Sequence, residues 1–320
     1  MKSQILKNKT TRQNSGQVIV ILGPTASGKS ELAVKIARKI SAKGGGEIIS
    51  ADSRQVYKGL NIGTGKITKK EIKGVPHHCL DIVSPKKIFN AVDFKKCADK
   101  AIKDILRRGK TPIICGGTGF YIDVALGKIQ PTEVAPNWKL RKQLEKKPVE
   151  ELFKILKKLD PKRAKNIDAK NPRRLIRAIE ITKSGLIPSS NLPINKGEAW
   201  RRSVQVVGIK LPEKELKKRI KKRIKKMFRN GLLNEVKKLK KSGLSWKRFY
   251  ELGFEYKYPA MLLQGKINKD EMLKKMILEN NQYAKRQMTW FKKYAPETKW
   301  IRGYKESNPG RFFWREVFYH

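Results

Sequence analysis

The run Gly23-Pro24-Thr25-Ala26-Ser27-Gly28-Lys29-Ser30 is where this chain can do chemistry. It follows an apolar, β-branched stretch, Gln17 to Leu22, and leads into Glu31 to Ile40, where Leu32, Ala33, Ile36 and Ile40 recur at helical spacing. A glycine loop between a strand and a helix turns its N–H groups inward around phosphate oxygens, and the helix N-terminus adds positive potential. In such a cradle Lys29 neutralises phosphate charge and Ser30 offers a hydroxyl to Mg2+. The loop specifies a phosphate compound but not which one, because kinases, NTPases and some transferases share it.

Asp52 lies in Ile49-Ser50-Ala51-Asp52-Ser53-Arg54-Gln55, at the carboxyl end of a second predicted strand, Glu47 to Ala51. There it serves either as a base or metal carboxylate beside the phosphate loop, or as a local turn cap. Gly116-Gly117-Thr118-Gly119 closes a third predicted strand, Thr111 to Cys115, at the same edge. An ATPase more often carries a metal-binding Asp at that point, so its absence argues against ordinary ATP hydrolysis; a plain strand-to-helix turn is the other reading.

Strands alternating with helices predict a parallel sheet covered by helices on both faces, with ligands at the carboxyl ends of the strands. From residue 129 to 197 the pattern changes to charged amphipathic helices, Trp138 to Leu144 and Val149 to Leu159, which predicts a helical insert. An alternating strand returns at Ser203 to Leu211, followed by a basic helix from Glu213 to Lys241 and, later, a helix from Lys269 to Tyr294. The core is therefore expected over residues 17–128 and 198–320, and residues 1–16 read as a disordered basic arm.

The chain has 320 residues, and its 75 Lys+Arg against 28 Asp+Glu give a net charge of +47. Such an excess attracts polyanions, nucleic acid above all, unless part of it is lysine-biased composition. No stretch approaches the roughly 20 apolar residues that span a bilayer, and the first sixteen residues lack a secretory core, which points to the cytoplasm. Three cysteines without a Cys-x-x-Cys pair suggest neither a disulfide framework nor structural zinc, and fit reducing surroundings. His77, His78 and Cys79 are consecutive, so they diverge and make a poor metal cage.

GPTASGKS, ISADSRQVYKGLNIGTGK, HHCLDIVSP, GGTGFY, NPRRLIRAIE and AKRQMTWF occur in that order and together resemble the bacterial-type tRNA dimethylallyltransferases, over residues 17–301. The resemblance implies a P-loop NTPase-like core carrying an inserted all-helical tRNA-binding domain. It implies transfer of a dimethylallyl group from dimethylallyl diphosphate to N6 of the adenosine beside the anticodon, with Mg2+ as cofactor, by a monomer that grips the anticodon stem-loop. Carried across by motif, the loop from Gly23 to Ser30 would hold the diphosphate, Asp52 would accept the amine proton, and Lys29 and Arg223 would stabilise the leaving group.

By the same resemblance the tRNA would be faced by Asp52, Ser53, Arg54, Gln55, Thr118, Arg141, Arg173, Arg174, Leu175, Ile176 and Arg177, and by Tyr250, Glu251, Leu252, Gly253, Phe254 and Glu255. Lys285, Arg286, Gln287, Met288, Thr289, Trp290, Phe291 and Lys292 complete that set. Tyr250, Phe254 and Trp290 suit stacking on bases, and Arg174, Arg177 and Arg286 suit phosphates. Leu175, Ile176, Met288 and Trp290 equally suit the apolar faces of their helices. The chain departs from the family at Gly65, where relatives often have Ala, and at Arg173, where Gln is common. It ends at His320 without a Cys/His finger and so resembles the shorter bacterial form. Two other readings remain: prenylation of free adenine nucleotides, and an RNA-binding ATPase or kinase.

Overall fold

The computed structural model describes residues 17–40, 44–185, 201 and 203–302. The arm expected over residues 1–16 therefore lies outside the described residues. Contacts divide the chain into two compact units, one built from residues 1–89, 96–122 and 197–320, the other from 90–95 and 123–196.

The first unit is organised by a parallel sheet of six strands. β1 (Val18–Leu22), β2 (Gly46–Ser50), β3 (His77–His78), β4 (Thr111–Cys115), β5 (Val204–Lys210) and β6 (Thr298–Arg302) stand in the order β3-β2-β4-β1-β5-β6. β1 is buried along its whole length because both faces of the sheet are covered, as a continuous run of branched apolar residues requires. Its neighbours are β4, with Ile19 opposite Ile113, and β5, with Val20 opposite Val206. Helix α1 (Lys29–Lys39) leaves β1 and packs Leu32, Ala33, Ile36 and Ala37 into the core formed with Ile19, Ile48, Ile113 and Val207.

α2 (Lys69–Ile72) is a single turn closed by a Thr68–Glu71 capping box, and α3 (Ala91–Arg107) and α4 (Gly119–Ala125) flank β4 in sequence. The basic helix expected over Glu213 to Lys241 is two helices, α9 (Glu213–Arg229) and α10 (Leu232–Lys241). Gly231, at φ 94°, turns the chain between them, a conformation that glycine adopts without a Cβ clash. α11 (Trp246–Glu251) and α12 (Phe254–Leu263) follow, and α13 (Lys269–Phe291) stops three residues short of the expected end, where a 3-10 turn leads to β6.

The second unit's described elements beyond α3 and α4 are α5 (Trp138–Leu144), α6 (Val149–Leu159), α7 (Pro161–Ala164) and α8 (Pro172–Lys183). Leu144, Leu152, Leu156, Leu175, Ile176 and Ile179 form its apolar centre. Three of these four helix starts are capped by a side chain: Asn137 accepts from Leu140 N–H, Asp160 from Arg163 N–H and Asn171 from Arg174 N–H.

Cys79 and Cys97 form a disulfide, with Cα atoms 6.2 Å apart, which corrects the expectation of three free thiols. The pair joins the segment after β3 to α3 across 18 residues of sequence, a closure that no local Cys spacing announces. Cys115 is the free cysteine, buried at the end of β4 with its thiol pushed up to about 12 by that burial.

Candidate active site

β1 delivers the chain into the phosphate loop at the carboxyl edge of the sheet. Ala26 (φ 62°) and Gly28 (φ 96°) take left-handed conformations, the backbone form in which successive N–H groups converge into an anion cradle. Within it the Ser27 hydroxyl is buried with no hydrogen-bond partner, an unusual vacancy for a buried polar atom that a ligand oxygen would fill. Lys29 Nζ donates to Pro24 O at 2.7 Å. Burial pulls the Lys29 ammonium down to about 8, and the Arg223 charge adds to the fall, so a phosphate anion would be a strong partner for it.

Asp52 leaves β2 beside this loop. One carboxylate oxygen, Oδ1, accepts from Arg54 N at 2.8 Å and Gln55 N at 3.3 Å, so the local turn and the acid are built together. The other oxygen has no partner among the described residues. The cap reading therefore accounts for Oδ1 alone. Ser53 N donates to Thr118 Oγ1 at 3.1 Å, tying the Asp52 turn to the glycine turn after β4. At that turn a Cβ on Gly116 would stand 2.1 Å from Ala51 O, so only glycine allows the two strand ends to meet.

Gln287 of α13 joins these parts. Its Oε1 accepts from Thr25 N at 2.8 Å and its Nε2 donates to Gly117 O at 2.8 Å, so a single amide spans the phosphate loop and the β4 turn. Gln287, expected from the resemblance to face RNA, is buried here with both ends of its amide engaged. Nothing in its local sequence signals that contact, which is 262 residues long-range from Thr25.

Arg223 of α9 reaches the same edge, donating from Nη1 to Thr25 Oγ1 at 3.0 Å and from Nη2 to Thr64 O at 2.9 Å. The departure at Gly65 has a steric meaning here, because a Cβ at that position would stand 2.3 Å from Arg223 Nη2. The guanidinium occupies the space an alanine methyl would take. Burial lowers the Arg223 pKa, opposed by the charges of Glu255 and Asp52. Glu255, half-buried in the first turn of α12, is pushed up to about 7 by burial.

The other residues expected to face RNA separate into three groups. Arg173, Arg174, Glu251, Lys285, Arg286, Thr289 and Lys292 are exposed. Arg54, Tyr250, Gly253, Phe254, Met288 and Trp290 are half-buried; Phe254 stacks edge-on against Tyr283 at 6.1 Å and Trp290 against Phe120 at 6.4 Å. Leu175, Ile176 and Leu252 are buried in apolar clusters and Phe291 is buried, which favours the apolar-face reading for the first two. Arg141 and Arg177 are committed as well. Buried Glu180 accepts from Arg141 Nε at 2.9 Å and Nη2 at 2.7 Å, and pairs with Arg177, whose Nη2 donates to Val134 O at 2.8 Å. The expected phosphate contact by Arg177 gives way to this internal clamp.

Among the described residues no three His, Cys, Asp or Glu side chains gather into a metal cage. The donor set fits Mg2+ in another form, since this ion keeps most of its water and typically binds through substrate phosphates with one or two protein oxygens. Ser30, exposed where the loop enters α1, supplies such an oxygen. A cavity of about 280 Å³ opens beside it, lined by Ser30, Val34, Lys35, Arg38, Gly65 and Ile67. His77 Nδ1 lies 2.8 Å from Val75 O, His78 Nε2 lies 2.8 Å from Glu47 Oε2, and Cys79 is in the disulfide, so the three side chains have separate partners.

Known proteins share this arrangement of strands and loops. Residues 55–294 match the family described as IPP transferase. A tRNA dimethylallyltransferase of Treponema denticola is 41% identical over 86% of this chain and 91% of its own length. A crystal structure of a tRNA isopentenylpyrophosphate transferase from Bacillus halodurans superimposes with a TM-score of 0.64 at 34% identity, covering 89% of each chain. A eukaryotic dimethylallyltransferase captured acting on tRNA gives a TM-score of 0.76 at 27% identity, over 95% of this chain and 76% of that one. With the phosphate loop, the free Asp52 oxygen and Arg223 at one sheet edge, and a match over three quarters of its length, this chain belongs to the IPP transferase family, among prenyl-transferring enzymes.

Proposed function

We propose that this protein transfers the dimethylallyl group of dimethylallyl diphosphate to N6 of the adenosine beside a tRNA anticodon, releasing diphosphate. The observation that carries the reading is the position of the unpartnered Asp52 oxygen at the same strand edge as a phosphate cradle closed by Arg223.

In this reaction the C–O bond between the allylic carbon and the diphosphate breaks, its electron pair leaving with the diphosphate, while a bond forms from N6 to that carbon. The adenine amine is a weak nucleophile because its lone pair is delocalised into the ring, so losing a proton as the bond forms lowers the barrier. Asp52 Oδ2 accepts that proton. Lys29, Arg223 and the N–H groups from Thr25 to Ser30 stabilise the charge that accumulates on the leaving oxygens. When bound, Mg2+ held by Ser30 would add neutralising charge to the diphosphate. A base in a stacked loop is out of reach, so the adenosine leaves the stack, and Tyr250, Phe254 and Trp290 offer rings against which it can pack. Exposed Arg173, Arg174, Lys285, Arg286 and Lys292 supply contacts to RNA phosphates.

Mass spectrometry of nucleosides from tRNA incubated with the protein and dimethylallyl diphosphate tests the reading. The expected product is N6-isopentenyladenosine. Preference for AMP over an anticodon stem-loop would move the acceptor to free nucleotides, and phosphate release from ATP without a prenyl donor would replace the reading with an ATPase.

A further inference from the structure

The backbone carbonyl of Thr64 is a junction in the candidate site. It accepts from Arg223 Nη2 at 2.9 Å and, more loosely, from Gln55 Nε2 at 3.4 Å. Arg223 is the guanidinium assigned to the leaving diphosphate, and Gln55 N donates to Asp52 Oδ1, so one carbonyl serves both halves of the site.

The loop of residues 60–66 that supplies this carbonyl is anchored by Glu235 of α10. Glu235 Oε2 accepts from Asn61 N at 3.0 Å and Ile62 N at 2.7 Å, and Oε1 from Gly63 N at 3.1 Å and Tyr256 Oη at 2.8 Å. Three successive N–H groups turned onto one carboxylate make the kind of nest that elsewhere receives an anionic ligand, here filled by the chain's own side chain. All of these donors are neutral, and Glu235 is only 9% exposed, so its charge is spent on orienting the loop. The turn also closes on itself: Thr64 Oγ1 donates to Leu60 O at 2.7 Å, Gly65 N to Ile62 O at 3.0 Å and Lys66 N to Asn61 O at 2.9 Å. Fixing residues 61–63 therefore fixes the direction of the Thr64 carbonyl. The loop has little slack, since a Cβ on Gly63 would stand 2.6 Å from the Tyr256 ring.

We propose that Glu235 is a positioning residue for the transfer reaction: through the loop it sets Thr64 O, and through Thr64 O it holds the Arg223 guanidinium in the orientation that meets diphosphate. The proposal rests on the role given to Arg223 in the proposed function. A guanidinium carries five N–H donors; Thr25 Oγ1 and Thr64 O engage one each, and the rest remain for ligand oxygens. An arginine held in this way loses less side-chain freedom when diphosphate binds, and it needs no reorganisation as charge builds on the leaving oxygens.

Glu235→Gln tests this, because it keeps the shape of the side chain and removes one acceptor. If the amide oxygen keeps Asn61 and Ile62, the NH2 group opposes Gly63 N–H; the flipped amide opposes two N–H groups, so part of the anchor is lost either way. Wild type, Glu235→Gln, Arg223→Ala and the double variant are compared by calorimetry of inorganic diphosphate with Mg2+ and by single-turnover transfer to tRNA. Glu235→Gln is expected to slow transfer about tenfold and weaken diphosphate binding about fivefold, with tRNA affinity within about twofold of wild type. In the Arg223→Ala background the same substitution should cost no more than about a further twofold.

Equal losses in the two backgrounds overturn the proposal, because a merely structural carboxylate costs the same with or without Arg223. Unchanged transfer and diphosphate affinity in Glu235→Gln overturn it as well. Should that variant melt below the assay temperature, Tyr256→Phe runs the same cycle, removing one donor from Oε1 and keeping the ring. A loss of about threefold that requires Arg223 supports the proposal; a loss independent of Arg223, or none, overturns it. Wild type that binds diphosphate but transfers nothing removes the proposed reaction, and the diphosphate-binding cycle alone then decides Glu235. Wild type that binds no diphosphate removes both.

Discussion

The two ends of the sheet each hold a carboxylate near cations, and they treat it in opposite ways. At the amino end, buried Glu47 opens β2 and all its acceptor capacity is used: Oε1 receives Lys110 Nζ at 2.8 Å and Arg108 Nη1, while Oε2 receives Arg108 Nη2 at 2.8 Å and lies 2.8 Å from His78 Nε2. The Arg108 hydrogen bonds hold the Glu47 pKa far below the usual carboxylate range, with Lys110 and His78 contributing in the same direction. At the carboxyl end, among the described residues, Asp52 keeps one oxygen without a partner and Ser27 Oγ is buried with none. Charge clusters completed by the protein itself maintain structure. Clusters left incomplete await a partner that the chain does not contain.

The largest effect expected from breaking this contrast is at Asp52. Asp52→Asn keeps a side-chain oxygen for the Arg54 and Gln55 N–H groups, so folding and RNA binding should persist, while turnover falls by about 10²-fold or more for loss of a general base. Single-turnover transfer measured beside thermal melting would decide it; near-normal transfer would reduce Asp52 to a turn residue.

Glu47→Gln should do the reverse. Leaving the Arg108 and Lys110 donors with a neutral partner should cost about 1–3 kcal/mol of stability while transfer by the folded fraction stays close to normal. Because the folded-state pKa of Glu47 is depressed, its contribution is present above the unfolded value of about 4.3 and lost as pH falls below it, so the stability gap between wild type and variant should narrow in acid. Slowed chemistry at unchanged stability would contradict the division between the two ends.

Lys29→Ala is expected to weaken diphosphate binding by about tenfold or more, in keeping with a lost charge-assisted hydrogen bond, with tRNA affinity largely kept. Loss of RNA affinity alone would show that Lys29 belongs with the surface cations. Those cations are sharpened by salt: with several phosphate contacts, tRNA affinity should drop at least about tenfold between about 50 and 200 mM. A shallow slope measured by filter binding would mean that much of the +47 charge is compositional and that recognition rests on base contacts.

Local signals in the sequence carried the frame of the site. The strand–loop–helix around Gly23 to Ser30, the strands at Glu47 and Thr111, and helices Trp138–Leu144 and Val149–Leu159 all follow from periodicity and turn residues within a dozen positions. What escaped depends on distance or brevity. β3 is two residues long and β6 is an edge strand after a 3-10 turn, so neither has enough alternation to announce itself. Gln287 reads as one polar residue in a helix until Thr25 and Gly117 are seen at its two ends. Arg141 and Arg177 look like RNA ligands because charge is visible in a sequence whereas the buried Glu180 that consumes it is not marked as buried. Gly65 shows the converse, a departure from the family that became meaningful only when Arg223 was found in its vacant space.

The Gln287 bridge also bears on how the protein is made. Thr25 is synthesised first, but the side-chain amide that accepts its N–H comes from position 287, 262 residues later, so all of the chain between them must be made before the phosphate loop receives that partner. A ribosome-bound intermediate would carry the glycine loop and Asp52 without the α13 amide that connects Thr25 to Gly117. The loop's last support is thereby supplied only once α13 has been made, long after the loop itself.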